Sequence, residues 1–371
     1  MATFIRKFSK RIAVAGNMAL SLLMLLLYLL PMANLEWFWF LNLLALLFPY
    51  LLLLQLGFVV FWLLAKPRLV WLPVFSLLLC WGLVKNVVAF SSGSDAAVAG
   101  NNNLFRVASW NIQLVNFYGK NGNADNRMLQ QAKQLGADVL AVQELVFSLD
   151  SSSNMSLQQL KKRMGFRYAV AANDRGFGVH TNNGMPTERY YPFCVALFSN
   201  FPILRWEKIQ SLREYNHTFL VADLLVGADT IRFFNIHLQS MHFARKDYDF
   251  IEHIDQQDMQ TVKRNGKTIL HKIKSANLMR ALQVKLVAEE LAKSPHPVVL
   301  CGDFNDVPNS FAYQTLRSQL QDAFLEKDGG LGRTFRFLAP TLRIDYVLFD
   351  ERLRLHSFRR VPYTTSDHVA L

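Results

Sequence analysis

The sequence is poor in cysteine throughout and almost free of acidic side chains over its first ninety residues. Its three cysteines, Cys80, Cys194 and Cys301, lie in apolar stretches, which excludes a disulfide framework and predicts buried free thiols. Glu36 is the one acidic residue before position 91, against seven Lys and Arg. The rest of the chain has no strong Lys or Arg run, which argues against a dedicated nucleic-acid-binding surface.

Long apolar runs fill the first ninety residues instead. Examples are "LSLLMLLLYLLP" and "LNLLALLFPYLLLLQLGFVVFWLLA", which contain no charged side chain. Runs of this length are typical of membrane spans rather than of core helices. We predict a transmembrane anchor over residues 1–90, with helices at about 12–32, 38–65 and 69–90. Because two further spans follow the first, a cleaved signal peptide is the weaker interpretation.

Basic residues favour one orientation of this anchor. They precede the first predicted span or lie between the second and third: Arg6, Lys7, Lys10, Arg11, Lys66 and Arg68. By the positive-inside rule both places are cytoplasmic. Three spans would then put the rest of the chain on the other side. We therefore expect a multi-pass membrane protein in which the part of the chain after residue 90 is extracytoplasmic, on the periplasmic side.

The composition changes after the apolar runs. Residues 91–103, "SSGSDAAVAGNNN", predict a flexible linker. From residue 104 to 371, short β-branched runs such as "CVALFS" alternate with helical patterns such as "NRMLQQAKQLG" and "NLMRALQVKLVAEELAKS". This alternation predicts one α/β (α+β) domain with a sheet core. The polar stretch 239–276 is too long for a simple connection, and we expect it to contain a helix and to form a lid or rim.

Polar side chains stand where several predicted strands begin or end. The set is Asn111, Glu144, His237, Asp303, Asn305, Asp345, Asp367 and His368. In mixed α/β proteins, ligands bind where strand ends meet loops. Each residue taken singly is more simply a solvated or turn-forming side chain. Their occurrence together, in this order, favours a functional site.

These residue types suit a metal ion and an acid–base pair. Carboxylates such as Glu144 and Asp345, and the amide oxygen of Asn111, are ligands that a hard divalent cation prefers. His368 with either Asp345 or Asp367 forms a general-base arrangement, in which the acid fixes the tautomer of the imidazole.

Other polar residues suit contacts with phosphate. Asp303 and Asn305 are candidates for positioning an attacking water and a phosphoryl oxygen, and His237 for donating to developing charge. Arg333 and Arg343, near a glycine-rich loop, are either phosphate contacts or solvated loop residues.

Six ordered motifs resemble those of the endonuclease/exonuclease/phosphatase superfamily, the DNase I-like proteins. They are "SWNI", "VQE", "NIHL", "GDFND", "RIDYVLF" and "SDH", and the resemblance extends over residues 105–369. It implies a four-layered α/β sandwich of two packed sheets with helices outside. It also implies hydrolysis of a phosphate ester with Mg²⁺ (or Mn²⁺), here in a membrane-anchored member of bacterial type.

The resemblance implies roles for the metal-binding and substrate-binding residues. Glu144 resembles the principal metal-binding carboxylate, Asn111 the amide beside metal and phosphate, and Asp367 a direct or water-mediated ligand. The substrate-binding set that it implies is Asn111, Asn305 and His237.

The catalytic set is implied in the same way. His368 resembles the catalytic histidine, and Asp345 the acid hydrogen-bonded to it. Asp303 and Asn305 resemble the pair that orients the nucleophile and the phosphoryl group, and His237 resembles the phosphate-contacting histidine.

The expected function is therefore a membrane-anchored, divalent-metal-dependent phosphoric ester hydrolase that acts as a monomer. Its partners are the membrane and a phosphate-ester substrate. That substrate is a nucleic acid, a phospholipid or sphingolipid head group, or a soluble phosphate ester. The alternative is a non-catalytic membrane receptor or scaffold that retains the fold for phosphate-ligand binding. Every principal site position is filled, which ranks this alternative below the enzyme.

Overall fold

The computed structural model describes residues 2–33, 35–91, 104–113, 126–173, 177–178, 190–191, 193–210, 218–241, 243, 245–363 and 365–371. Its strands, β1 to β14, are Ala89–Phe90, Val107–Asn111, Val139–Val146, Tyr168–Asn173, Phe177–Gly178, Tyr190–Tyr191, Phe193–Ser199, Ile203–Gln210, Thr218–Val226, Asp229–His237, Val298–Asp303, Gln321–Asp322, Gly329–Gly330 and Asp345–Phe349. Its α-helices, α1 to α11, are Ala2–Leu25, Leu35–Phe38, Leu41–Ala65, Trp71–Leu79, Trp81–Val87, Asn126–Gln134, Leu157–Met164, Arg245–Glu252, Met259–Ala292, Phe311–Arg317 and Ala323–Lys327. Short 3-10 helices cover Leu26–Met32, Pro67–Leu69 and Ile254–Gln256. The predicted flexible linker lies outside the described residues, apart from residue 91.

Two sheets pack face to face. One has six strands in the order β12-β14-β11-β10-β9-β8, and the other has four in the order β2-β3-β7-β4. Pairs β10–β11 and β2–β3 are parallel, and their neighbours in both sheets are antiparallel. Apolar side chains of both sheets fill the space between them, for example Val139, Ala141, Leu220, Phe233 and Cys301. The wholly apolar strand runs of the sequence are thus explained by burial on both faces.

Helices cover the outer face of each sheet. Leu160 and Met164, four residues apart on α7, pack on the four-stranded sheet together with α6. Val284 and Val287, three residues apart on α9, pack on the six-stranded sheet together with α10. The order helix, sheet, sheet, helix is the four-layered α/β sandwich that the motif resemblance implies, so that prediction is confirmed.

Two helical stretches in the described part of the chain are long and apolar enough to cross a membrane. They are Phe8–Met32 and Leu41–Ala65, and they correspond to the predicted spans at 12–32 and 38–65. Neither contains more than two charged residues in its most apolar window. Their outward faces are hydrophobic, as lipid exposure requires.

The third predicted span, at 69–90, is not one continuous helix. That stretch is a pair of helices, Pro67–Leu79 and Trp81–Val87, bent by 64°, and it counts as a third span only if the pair is taken as one. The hydroxyl of Tyr28 donates a hydrogen bond of 2.9 Å to the Leu79 carbonyl at the break. Tyr28, in the 3-10 helix that follows α1, therefore provides a hydrogen-bond donor for a carbonyl group that the break leaves without its helical partner. The apolar run in the sequence does not reveal this contact.

The apolar N-terminal helices pack directly against the sandwich. Asn42 at the start of α3 donates 3.1 Å to Asp306 Oδ2 and 3.2 Å to Asn277 Oδ1. Asn86 of α5 donates 2.8 Å to Asn309 Oδ1. We call these five residues the docking interface. Each of its contacts joins an N-terminal helix to the loop after β11 or to α9, so the two parts are joined by more than the connecting chain.

The docking interface continues into neighbouring apolar and polar contacts. Phe48 and Leu83 pack in one cluster with Phe311 and Ile344 of the sandwich. Arg343 is 1% exposed and forms an ion pair of 2.5 Å with Asp322, so it is neither a phosphate contact nor a solvated loop residue. Its other end donates to the Asn86 carbonyl oxygen.

Candidate active site

Strand register brings three of the predicted site residues into one row. His237 at the end of β10 pairs with Asp303 at the end of β11, and Asp303 pairs with Asp345 at the start of β14. Asn111 ends β2 of the other sheet and pairs with Gln143, the neighbour of Glu144. The ends of both sheets therefore contribute side chains to one place.

Glu144 occupies an irregular point of its strand. The β3–β7 pairing shifts register between Val142 and Leu145, and Glu144 itself has φ +56°. A left-handed backbone costs a non-glycine residue about 1–2 kcal/mol. The bulge turns the carboxylate toward Asn111, whose amide donates 3.3 Å to Glu144 Oε1 and 3.0 Å to Asp303 Oδ2. One amide thus links acidic groups from both sheets.

The glycine before Asp303 is required by a close backbone approach. Gly302 has φ +152°, and a Cβ there would lie 2.0 Å from the Ile236 carbonyl oxygen. Asn305 then closes a turn, because its N–H donates 2.7 Å to Asp303 Oδ1 and its amide donates 3.1 Å to the Leu238 carbonyl. The "GDFN" segment is therefore both a turn and one wall of the site.

His368 is held by Asp345. Its Nδ1 lies 3.0 Å and 2.9 Å from the two carboxylate oxygens of Asp345, which fixes the ring. Its Nε2 then lies 3.8 Å from Asp303 Oδ2 and 3.8 Å from Asp367 Oδ1. The hydroxyl of Ser366 supports this arrangement, because it accepts the His368 N–H and donates to the carbonyl oxygen of β2's last residue.

Burial and charge perturb the titratable groups of the site. Burial and the neighbouring Asp345 raise the pKa of Asp303 to about 7. Burial also raises the pKa of Glu144 and of Asp367. Burial alone lowers the pKa of His368, but Asp345, Asp303 and Asp367 outweigh it and raise that pKa to about 10. Several buried carboxylates therefore surround the imidazolium of His368, and a further cation would relieve their mutual repulsion.

The donor set fits a divalent cation. Among the described residues, ligand atoms of Asp303, Asp345 and His368 lie within 4.8 Å of one another. Asp367 Oδ1 is buried and accepts no hydrogen bond from the described part of the chain. Because Asp345 already holds His368 Nδ1, the oxygen atoms of Asp367, Glu144 and Asp303 are the donors best placed for a hard cation.

The structure brings together all eight residues that the sequence singled out. His237 Nε2 lies 3.7 Å from both Glu144 Oε1 and Asp303 Oδ2. Asn305 adjoins the group through its bond to Asp303, and the remaining members contact one another as described above. These residues are far apart in the sequence, from residue 111 to residue 368. Strand pairing within each sheet and the packing of the two sheets against each other bring them together.

Some residues of the site were missed by the sequence analysis. The ring of Phe335 lies 5.0 Å from that of His368, and their backbones form an isolated bridge. Tyr248 of α8 comes from the polar stretch 239–276, and its pKa is raised by burial and then by Asp367, Asp247 and Glu144. The prediction that this stretch contains a helix and borders a site is consistent with the effect of Asp367 and Glu144 on the pKa of Tyr248. No spacing in the sequence distinguishes Tyr248 or Phe335.

The sandwich and its convergent acid–histidine cluster define a class, the hydrolases of phosphate esters built on two packed sheets. The model of the Endonuclease/Exonuclease/phosphatase family matches residues 108–368, more than half of the chain. The chain therefore belongs to this family, whose members are hydrolases acting on phosphoester bonds. A second model, a domain of unknown function (DUF8431), matches residues 10–87.

Several solved structures are similar to this chain at 16% sequence identity. The human Nocturnin catalytic domain with bound sulfate covers 72% of this chain and 92% of its own, with a TM-score of 0.45. An endonuclease/exonuclease/phosphatase from Beutenbergia cavernae covers 72% and 69%, with a TM-score of 0.48. A mannosyl-6-phosphatase from Bacteroides thetaiotaomicron covers 72% and 97%, with a TM-score of 0.45. No curated protein sequence matches the chain.

Proposed function

We propose that this chain is a membrane-anchored, divalent-metal-dependent phosphoric ester hydrolase in which water attacks phosphorus. The contact between His368 Nδ1 and Asp345, at 2.9 Å, is the main support, because it leaves Nε2 facing the acidic cluster. An imidazole oriented in this way accepts a proton from water at Nε2 while the carboxylate stabilises the imidazolium. Without a cation, the surrounding carboxylates raise the pKa of His368 to about 10 and keep the ring protonated. Proton acceptance at Nε2 therefore requires the positive charge that a bound divalent cation would supply beside these carboxylates, because that charge lowers the pKa of the imidazole.

We assign the metal site to Glu144, Asn111 and Asp367. Mg²⁺ (or Mn²⁺), when bound there, supplies positive charge beside the phosphoryl oxygens. The raised pKa of Glu144 and the orphaned Oδ1 of Asp367 support this assignment, because both carboxylates gain a partner. Removal of divalent cations is therefore expected to abolish turnover.

The remaining predicted residues are assigned to the substrate. Asp303 and Asn305 hold the attacking water and the phosphoryl group, together with the amide of Asn111. His237, whose Nε2 points between Glu144 and Asp303, donates to the charge that develops on phosphate. Gly302 and the turn at Asn305 hold the side chains of this loop in place.

We infer that the N-terminal helices form a three-span anchor, with the bent pair as the third span. Asn42 and Asn86 meet the sandwich at the ends of their segments, while Lys66 and Arg68 occupy the loop at the other end of α3. This arrangement and the positive-inside rule support a domain on the extracytoplasmic (periplasmic) side. The domain division remains as proposed: 1–90 anchor, 91–103 linker and 104–371 catalytic domain, acting as a monomer.

The test uses the full chain in lipid nanodiscs with a generic phosphodiester and a generic phosphomonoester. We expect Mg²⁺-dependent release of product that is lost with EDTA and falls at least a hundredfold in His368→Ala and Glu144→Ala. Exposed residues of the same types, His253→Ala and Glu289→Ala, serve as matched controls and keep full activity. Equal activity in all five proteins would exclude the proposed site. Phosphate binding without any turnover would favour the receptor or scaffold alternative.

A further inference from the structure

Helix α9 is longer than the sheet it covers. Its 34 residues extend over about 51 Å at 1.5 Å per residue. Val284, Val287 and Leu291 in its second half pack on the six-stranded sheet. Arg280 Nη1 donates 2.9 Å to the Gln239 carbonyl, two residues beyond the end of β10, so this level marks the end of the sheet. The first half, residues 259–276, therefore projects beyond the strand ends.

The projecting half lies at the end of the sandwich where the membrane helices dock. Asn277 accepts a hydrogen bond from Asn42 at the start of α3. The Lys274 ammonium lies 5.9 Å from the ring centre of Trp39, in the connection between the first two apolar helices. Lys274 and Asn277 therefore lie beside the start of α3, where that helix would enter the bilayer. The residues of α9 before Lys274 extend from this point away from the sheet.

The charge and exposure of this segment limit where it lies. It carries five cations and no Asp or Glu: Lys263, Arg264, Lys267, Lys272 and Lys274. Met259 is 70% exposed and Leu270 is 48% exposed. A helix with this many cations does not follow α3 into hydrocarbon, because a charge at the bilayer centre is strongly disfavoured. A basic helix with exposed apolar side chains is suited to the headgroup layer.

We propose that residues 259–274 of α9 lie on the bilayer surface and bind anionic phospholipid head groups. The inference rests on the proposed membrane anchor and goes beyond the hydrolytic activity. This segment of α9 is connected to the active site through α8. Lys272 Nζ lies 2.6 Å from Asp247 Oδ2 on α8, and the same helix carries Tyr248. A nucleic acid is the competing polyanion, and the absence of a long Lys or Arg run elsewhere in the sequence favours lipid.

The test places an environment-sensitive fluorophore on Leu270→Cys in the full chain. The native cysteines are all buried, so labelling is directed to the new thiol. Leu204→Cys is the matched control, an exposed leucine (56%) on β8, whose neighbour Ile203 pairs near the opposite end of the sheet. Nanodiscs contain either phosphatidylcholine alone or a mixture with phosphatidylglycerol, and lipid-attached quenchers report proximity.

In the mixed nanodiscs we expect quenching at position 270 to exceed that at position 204 at least threefold. It should fall at least twofold in phosphatidylcholine alone, and likewise in Lys263→Gln/Arg264→Gln/Lys267→Gln. Equal quenching at the two positions overturns the proposal. So does a fluorescence response to added oligonucleotide that exceeds the response to anionic lipid. A second label at Met259→Cys repeats the measurement if the first variant fails to fold.

Hydrolysis measured in the same nanodiscs separates this inference from the proposed function. Loss of turnover in Glu144→Ala, with no lipid contact at position 270, would retain the hydrolase and exclude the surface. Lipid contact at position 270 without turnover in the wild type would retain the surface and exclude the hydrolase.

Discussion

The imidazole of His368 lies between two kinds of carboxylate. Asp345 holds its Nδ1 at hydrogen-bonding distance, while Asp303 and Asp367 lie 3.8 Å from its Nε2. Asp345 orients the ring, whereas Asp303 and Asp367 lie beside Nε2, the atom that would accept a proton from water. Asp345 and His368 should therefore behave as one unit in kinetics.

Replacement of Asp345 by Asn tests this unit. We expect kcat to fall by about 10²–10⁴-fold with KM little changed, because the ring loses its orientation and the imidazolium loses its counter-charge. The double variant with His368→Ala should be no slower than His368→Ala alone, as expected for residues that act together. Steady-state hydrolysis measures both, and losses that multiply would contradict the shared role.

Cys301 gives a prediction on pH at the same scale. It lies in the core between the sheets, and burial raises the pKa of its thiol to about 12. The pKa of a cysteine thiol in the unfolded chain is about 8.5, so the thiol of Cys301 holds its proton more tightly in the folded state. The contribution of this thiol to the free energy of unfolding is fully present below about pH 8.5 and is lost as the pH rises toward 12.

Two measurements check the state of Cys301. Iodoacetamide at pH 8 should leave it unmodified in the native protein, while the exposed thiol of Leu204→Cys reacts within minutes. The free energy of unfolding should also fall less between pH 8.5 and 10 in Cys301→Val than in the wild type. Rapid alkylation of native Cys301 would show that the core between the sheets is open.

The sequence predicted these site residues because their chemistry is carried by residue type and order. Asp303, Asn305 and His368 belong to short motifs whose joint occurrence is specific. The sequence allows Arg343 to be a phosphate contact or a solvated residue, and both interpretations are wrong, because no local pattern shows that Asp322 neutralises it in the core. Tyr248 was missed for a similar reason: its place depends on how α8 packs, which polar spacing does not encode.

At the scale of elements, the loop after β11 is held from two sides. Asp306 accepts hydrogen bonds from Asn42 of α3 and from Arg280 of α9, which lies 3.2 Å away. Asn42 Oδ1 also accepts the N–H of Phe311, the first residue of α10. The segment that carries Asp303 and Asn305 is thus held in place by the start of α3.

Replacement of Asn42 by Leu should lower kcat about tenfold or more with a smaller change in KM, because misplaced catalytic groups lose rate steeply. Asn17→Leu is the matched control: Asn17 is also a buried asparagine, but it bonds to Gln55 and Trp62 within the N-terminal helices. The exchange Asn42→Asp/Asp306→Asn should restore part of the rate, because it keeps an amide opposite a carboxylate. Equal rates for Asn42→Leu and Asn17→Leu would mean that Asn42 does not position the loop.

The glycine at the end of β11 gives a stability prediction. Gly302→Ala should lower the free energy of unfolding by about 3 kcal/mol, because overpacking and backbone strain add. Gly227→Ala is the control, since Gly227 also has positive φ, +63°, but open space around its Cβ position. That change should cost about 1 kcal/mol. Chemical denaturation compares the two, and equal losses would contradict the close approach to Ile236.

Element boundaries were predicted best where one apolar face repeats. The helical pattern at residues 277–294 is real, yet α9 begins at Met259, where Asp258 accepts the N–H groups of Gln260 and Thr261. A polar helix that is capped but has no buried face leaves no periodic signal. The bend near Cys80 was missed because hydropathy records the length of an apolar run and not its continuity.

At the scale of the whole molecule, the docking interface joins the N-terminal helices to the sandwich independently of the connecting chain, and we expect it to hold the two parts together when that chain is cut. We expect a protease site inserted within residues 92–103 to be cut without releasing the sandwich from the N-terminal helices in mild detergent. The contacts of Asn42 and Asn86, together with the apolar cluster around Phe311, hold the two parts. Size-exclusion chromatography after cleavage measures retention. Asn42→Leu/Asn86→Leu should release the sandwich, and release in the wild type would indicate a tethered domain.

Asn42 and Asn86, the residues that the N-terminal helices contribute to the docking interface, also fix the height of the sandwich relative to those helices. A domain on a flexible tether samples a volume of solvent, whereas a domain seated on its own membrane helices keeps its catalytic groups at one height above the bilayer. In the proposed topology, a phosphorus atom reacts only if it reaches that plane. A substrate is then selected first by the distance between its phosphate group and the bilayer and only afterwards by its fit to the active site. The length of the part that links the phosphate to the membrane becomes as important as the chemistry of the phosphate group itself.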